Sequence, residues 1–341
     1  MFAAASAHPN IAFIKYWGNR DSLLRLPLTG SLSMNLDGLE TRTRVWFDAD
    51  FSADSFSLGG VEQGEESLAR VSAFLDRARE LAGCGLWARV ESENNFPTGA
   101  GIASSASAFA ALALAASAAL GLSLSEQQLS ALARRGSGSA CRSVPDGFAE
   151  WLPGSADADS YAVQVAPPDY WDLVDVIVVL RSEHKAIGST EGHALAGTSP
   201  LNGLRVAGAP ERLIECRQAL LARDFARLAR VVEADSHWMH AVMRTSTPPL
   251  FYWTAGTETV LWHVLDWRKR GRAVCATVDA GPNVHVITAG AEKTWVEARL
   301  RELPGVQQVL CARPGLGARL ILEQSGRGNG LPRRLNLTYP N

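Results

Sequence analysis

The sequence predicts an α+β fold built in two parts, and three observations lead to it. The 341 residues, 47% of them hydrophobic, can fill two cores at roughly 100 to 200 residues per domain. Residues 153 to 172, with Pro153-Gly154, Pro167-Pro168 and several aspartates, have the composition of a connector. Beyond them the pattern reads strand, helices, strand, strand, helix, strand, the order of a split β-α-β, or ferredoxin-like, domain. The expected partition is 1–172, 173–325 and a tail at 326–341.

Taken in order, residues 8 to 21 begin as a short apolar strand and end in a polar turn carrying Lys15, Tyr16, Trp17 and Arg20. Residues 41 to 47 alternate as a strand does. From Glu65 to Leu81, apolar residues recur at spacings of three and four, which predicts an amphipathic helix. A strand over 86–92 then leads through Pro97-Thr98-Gly99-Ala100-Gly101 into an Ala/Leu-rich helix over 102–120. Ser123 and Glu126 have the spacing of a capping box, opening a helix that runs to Arg134. Gly136 to Ser143 is a break. In the second part the pattern predicts a buried strand at 174–180, one long helix over 210–244 and another near 256–270. Strand 273–279, a turn at Gly281-Pro282-Asn283, strand 284–288, helix 291–302 and strand 305–311 follow.

Composition excludes several function classes. Charges nearly cancel, 33 Lys+Arg against 35 Asp+Glu, and no basic tract or Arg/aromatic interleaving points to nucleic acid. The stretch 102–120 exceeds the ~18 residues of a membrane span, but its serines and small residues read as a core helix. Residues 1–6 lack the basic start and leucine-rich core of a secretion signal. Five scattered cysteines with no Cys-x-x-Cys support neither a disulfide framework nor a zinc site, so a reducing cytoplasm is the expected location.

Four stretches carry chemistry. Between strand and helix, Gly99 and Gly101 allow a tight turn, and the serines at 104, 105 and 107 bring hydroxyls to a helix start whose unpaired N–H groups attract a phosphate. In Gly136-Ser-Gly-Ser-Ala-Cys-Arg142-Ser143, an Arg among small residues can present its planar fork to a carboxylate. Ser182 to His193 is dense in polar groups and reads either as a solvated loop or as part of a site. Asp279 ends a strand before a tight turn, where an Asp commonly bonds nearby backbone. A further run, Asp235-Ser-His-Trp-Met-His240, offers two histidines at spacing three without a third ligand, so no metal ligands are assigned.

The pattern Pro97-x-x-x-Gly101-x-x-Ser104-Ser105-Ala106 resembles the phosphate loop of the GHMP small-molecule kinase superfamily. Asn10-Ile-Ala-x-x-Lys15-Tyr-Trp-Gly-x-Arg20-Asp21 is similar to the opening motif of its mevalonate diphosphate decarboxylase branch. Gly136-Ser-x-x-x-x-Arg142-Ser143 and Asp279-Ala-Gly-Pro-Asn283 match two further motifs of that branch. The resemblance covers about residues 8 to 290. It implies a GHMP two-domain fold, the first part like ribosomal protein S5 domain 2, with the active site between the parts, and a homodimer. It also implies ATP with Mg²⁺ as cofactors and a small phosphorylated hydroxy acid as substrate. The C3 hydroxyl of that acid is phosphorylated so that phosphate and CO₂ can leave.

On that resemblance Asp279 faces the substrate hydroxyl, Lys15 and Asn10 position substrate and transferring phosphate, and Arg142 holds the carboxylate. Ser92 and Asn94 contact adenine, while Pro97, Gly99, Gly101, Ala103, Ser104, Ser105 and Ser107 cradle the ATP phosphates. Tyr16, Asn19, Ser139, Ser189, Thr190 and His193 line the substrate's phosphate end. One departure stands out. The branch reads Lys-Tyr-Trp-Gly-Lys-Arg-Asp where this chain has neutral Asn19. The missing cation favours a monophosphate, so the expected reaction converts mevalonate 5-phosphate to isopentenyl phosphate. The alternatives are the 5-diphosphate reaction and a kinase that stops after phosphorylating the hydroxyl.

Overall fold

The computed structural model describes residues 1–96, 104–180 and 188–322. In chain order the first domain runs β1 (Phe2–Ala7), β2 (Asn10–Ile14), β3 (Asn19–Asp21), β4 (Leu26–Pro27), β5 (Ser31–Asn35), β6 (Thr41–Asp48), β7 (Ser55–Leu58) and β8 (Val61–Glu62). It continues with α1 (Glu65–Ala82), β9 (Trp87–Asn94), α2 (Ser104–Ala119), α3 (Glu126–Gly136), a 3-10 helix at Gly138–Ser143, β10 (Phe148–Trp151) and β11 (Ala162–Ala166). The second domain holds β12 (Leu173–Val179), α4 (Ser189–Leu195), α5 (Asn202–Leu221), α6 (Phe225–Arg244), α7 (Ala255–Lys269), β13 (Val274–Val278), β14 (Val284–Ala289), α8 (Lys293–Arg301) and β15 (Gln308–Ala312), before β16 (Arg319–Ile321) ends the described chain.

In the first domain a six-stranded sheet, β16-β1-β6-β9-β7-β8, is covered by α1 and α2. Helix α2 can lie close to it because Ala110, Ala111, Ala113, Ala115 and Ala116 are fully buried and project only a methyl group. A smaller sheet, β11-β10-β5-β2, carries Asn10 on its β2 edge. The second domain's sheet is antiparallel throughout, in the order β13-β14-β12-β15, which is the split β-α-β arrangement the element order predicts. Val174, Val176 and Val178 face a core shared with α7 and α8. Leu173 and Ile177, on the opposite face, join Ile11, Phe13 and Phe148 of the first domain and Leu220 and Leu228 of α5 and α6. A two-domain α+β fold is therefore built around a core that crosses the domain boundary.

Four expectations are corrected. The C-terminal part does not stay in the second domain, because β16 pairs antiparallel with β1 and places Ala318 in the first domain's core. The long helix over 210–244 is two helices, α5 and α6; the chain reverses at Arg223, whose φ is +53°, and the Asp224 carboxylate caps α6 by accepting the Arg227 N–H at 3.0 Å. The capping box of α3 lies two residues later, with Ser125 and Gln128 bonded reciprocally, in the register that buries Leu129, Leu132 and Ala133. Residues 138–143 form a 3-10 helix rather than a break. No described helix is long and apolar enough to cross a membrane. The expected tail at 326–341 lies outside the described residues.

Candidate active site

Strand β2 delivers Asn10 at its start and Lys15 just past its end. Strand β13 ends at Val278 and hands Asp279 to the facing side. The Lys15 ammonium meets the Asp279 carboxylate at 2.5 Å, Lys15 being only 1% exposed and the Asp279 side chain 28%. Burial alone would raise the Asp279 pKa, but Lys15, then His285 and Arg142, outweigh it and hold the carboxyl below its ordinary value. Asp279 is therefore ionised at neutral pH and can only accept hydrogen bonds. His285 forms a buried pair with Asp175 at 2.6 Å; burial opposes its protonation, but the nearby Asp175 carboxyl raises its pKa above the ordinary value.

Arg142 sits on the 3-10 helix at 2% exposure. Its Nη1 donates to Ser31 Oγ at 2.6 Å and its Nη2 to Asn10 Oδ1 at 3.1 Å. Asn10 in turn donates to Ser143 Oγ at 2.8 Å and to the Ser139 carbonyl at 3.1 Å, which fixes the orientation of its amide. Among the described residues no carboxylate forms an ion pair with Arg142, and its Nε has no hydrogen-bond partner. A buried guanidinium without an acid is costly, and the carboxylate of a bound acid would complete it.

A cavity of about 650 Å³ opens between the domains and is lined by Asn10, Lys15, Tyr16, Ser139 and Arg142 on one wall. Asp279, Ser189, Thr190, Glu191 and His193 line the other, and Ser104 and Ser105 lie at the start of α2. Tyr16 packs against the Trp151 ring at 4.7 Å and the His193 ring at 4.1 Å. Its hydroxyl donates to Asn19 Oδ1 at 2.5 Å, and burial pushes its pKa up to about 12, so it stays neutral. His193 Nδ1 accepts the Gly18 N–H at 2.9 Å, which leaves the proton on Nε2 in the neutral ring. Two glycines are explained by close approach. A Cβ at Gly138 would stand 2.5 Å from the Tyr16 ring, and one at Gly192 would stand 2.6 Å from Trp17.

A second cavity of about 170 Å³ adjoins the first through Arg70, Ser104 and Ser105, and is walled by Phe56, Leu58 and Val90 with Ser92 and Asn94. The structure thus gathers most of the residues picked from sequence, with exceptions. Ser107 is fully buried and bonded to Thr41 Oγ1 at 2.6 Å, so it faces the core and not the phosphate site. Asn19 stands behind Tyr16 and does not itself line the cavity. The polar run to His193 is not a loop at its end, since 189–195 form α4. Pro97, Gly99, Gly101, Ala103 and residues 182–187 lie outside the described residues.

Sequence reasoning missed Glu66 and Arg70 of α1 and did not place Arg25 among the site residues, yet all three line the larger cavity. Burial lowers Arg70 to about 10. Nothing in the helical pattern separates Arg70 from an ordinary polar-face arginine. Only the fold shows that this face of α1 turns toward the start of α2.

Comparison with known proteins places both halves of the chain. A family model described as diphosphomevalonate decarboxylase-like N-terminal domain matches residues 7–162, and one described as mevalonate 5-diphosphate decarboxylase C-terminal domain matches residues 175–310. The diphosphomevalonate decarboxylase of Aspergillus fumigatus is 38% identical over 325 residues, 89% of this chain and 80% of that protein. The human enzyme of the same name is 39% identical over 310 residues, 83% of this chain and 76% of that protein.

Among solved structures, the Staphylococcus aureus mevalonate diphosphate decarboxylase superposes with a TM-score of 0.90 at 37% identity, covering 94% of this chain and 98% of that one. A structure described as MDDEF in complex with MVAPP, AMPPCP and magnesium gives 0.90 at 38% identity, covering 94% and 99%. Because both halves match in order and the agreement spans nearly the whole described chain, this protein belongs to the diphosphomevalonate decarboxylase family.

Proposed function

We propose that this enzyme, an ATP-dependent decarboxylase of the mevalonate pathway, acts on mevalonate 5-diphosphate and releases isopentenyl diphosphate, ADP, phosphate and CO₂. The observation that carries the reading is the Lys15–Asp279 pair facing, across one cavity, a buried Arg142 that among the described residues pairs with no acid. The relatives' names favour the diphosphate, and Arg25 and Arg70 add cations to the cavity wall.

A 3-hydroxy acid does not lose CO₂ until its C3 oxygen becomes a leaving group. The ionised Asp279 accepts the hydrogen bond of the C3 hydroxyl and takes its proton as that oxygen attacks the terminal phosphorus of ATP. Lys15 offsets the charge on the transferring group. Arg142 grips the carboxylate and holds the C1–C2 bond in line for cleavage. The C3–O bond then breaks with its electron pair leaving on phosphate, while the C1–C2 pair becomes the C2=C3 bond and CO₂ departs.

The second cavity, with apolar walls and the Ser92 and Asn94 side chains, suits a flat base, and Ser104 and Ser105 join it to the first. Ser104 and Ser105 on the shared wall, with Glu66 in the larger cavity, fit a Mg²⁺, which would neutralise charge on the transferring group.

A second reading, mevalonate 5-phosphate giving isopentenyl phosphate, is favoured by Asn19, which bonds the Tyr16 hydroxyl through a neutral amide. Turnover of each substrate with ATP and Mg²⁺, counting ADP and CO₂, tests both. Equal ADP and CO₂ with a higher kcat/KM for the diphosphate is the expected result. A higher value for the monophosphate replaces the first reading with the second, and ADP without CO₂ marks a kinase. Near-normal kcat in Asp279→Asn would overturn the role given to that carboxylate.

A further inference from the structure

The run Asp235-Ser236-His237-Trp238-Met239-His240 on α6 has no part in the chemistry just described, yet three of its polar side chains close on the two strands that carry the reacting pair. Asp235 is fully buried. Its Oδ2 accepts the Lys15 backbone N–H at 2.6 Å and its Oδ1 accepts Arg212 Nε at 2.8 Å. Ser236 Oγ accepts the Val278 backbone N–H at 3.1 Å, and His240 Nε2 lies 3.1 Å from the Val278 carbonyl, to which it must donate. One helix therefore holds the main chain at Lys15 and at the residue before Asp279.

The surroundings reinforce this arrangement. Lys15 lies one residue beyond β2, where no strand partner serves its backbone, and both its polar groups are served from the second domain. Arg205, fully buried on α5, donates from Nη2 to the Lys15 carbonyl at 2.7 Å and from Nη1 to the Trp17 carbonyl at 3.1 Å. Arg212 Nη2 donates to the Arg205 carbonyl at 2.8 Å, closing the set. Lys15 and Asp279 are 264 residues apart in sequence and belong to different domains, so their 2.5 Å contact depends on an element that holds both.

We propose that Asp235, Ser236 and His240 are positioning residues for the Lys15–Asp279 pair, setting from one rigid helix the register in which ammonium meets carboxylate; the inference rests on the catalytic role given to that pair above. None of the three touches substrate in this scheme. They act through the backbone, so their loss should show in kcat and leave substrate binding nearly untouched.

The test measures kcat and both KM values for Asp235→Asn, Ser236→Ala, His240→Leu and His240→Gln, each checked for folding by its melting curve. An Asn at 235 turns an amide toward a donor, so misplacement of Lys15 should lower kcat on the order of 100-fold, with KM for ATP and for the phosphorylated mevalonate changed by less than about threefold. Ser236→Ala and His240→Leu should each lower kcat roughly tenfold, and His240→Gln, which keeps a donor toward Val278, should recover most of that loss. In an Asp279→Asn background, Asp235→Asn should have little further effect.

Unchanged kcat in a folded Asp235→Asn or Ser236→Ala variant overturns the inference, as does a loss confined to KM or full additivity with Asp279→Asn. If Asp279→Asn itself keeps near-normal turnover, the catalytic reading fails instead. Should Asp235→Asn not fold, Ser236→Ala and the two His240 variants still decide the matter.

Discussion

Asn19 Oδ1 accepts a hydrogen bond from the Tyr16 hydroxyl at 2.5 Å, so a cation introduced at this position would stand directly behind the ring that walls the cavity. A charge-assisted hydrogen bond contributes about 1.5–3 kcal/mol, so Asn19→Lys should raise the diphosphate-to-monophosphate ratio of kcat/KM by about tenfold or more. An unchanged ratio would show that the Asn is silent in specificity.

His240 gives a prediction of a different kind. Burial pushes its pKa down to about 3, with the Val278 carbonyl raising it and Lys15 and Arg244 opposing protonation against Asp279. The unfolded chain binds this proton near pH ~6.5, so the contribution to stability is full above that value and is lost as pH falls toward the folded pKa. Between those limits His240→Gln should flatten the wild-type slope by up to about 1.4 kcal/mol per pH unit, read from urea unfolding at several pH values. Residue types near the reacting atoms could be read from motifs, because each supplies a distinct chemical group. Arg70 and Glu66 could not, since their role depends on which face of α1 meets α2.

At the scale of elements, strands and helices with strong periodicity were legible, and the failures occurred where a side chain overrode the pattern. Nothing at Ala222-Arg223-Asp224 announces the reversal between α5 and α6, because the capping Asp sits between two apolar faces of the same helical period. The second domain's architecture was legible in the order of its elements, strand, helices, strand, strand, helix, strand, which is that of a split β-α-β sheet. Helix α2 offers the sharpest test. Ala113 is fully buried in the core that α2 shares with the sheet. Ala113→Leu should destabilise the fold by about 1–3 kcal/mol in urea unfolding, through overpacking. A neutral outcome would mean that α2 can draw away from the strands.

The whole molecule ties its two domains together in three places: the core shared by Ile11, Phe13, Ile177 and Leu220, the clamp of Arg205 and Asp235 on the backbone around Lys15, and the return of β16 to β1. The return strand was not legible. Its three residues pair with a strand more than 300 positions earlier, and no local pattern encodes so distant a partner. These ties suit a site whose cavity takes one wall from each domain, because a shift between domains would separate Lys15 from Asp279. They also predict how the protein unfolds. Ile177 is fully buried on the second domain's sheet, yet it packs with first-domain side chains, so Ile177→Ala should cost about 2–5 kcal/mol and weaken both domains at once. Calorimetry should then show one transition displaced to lower temperature as a unit. Two transitions, of which only one moves, would mean that the shared core does not couple the domains.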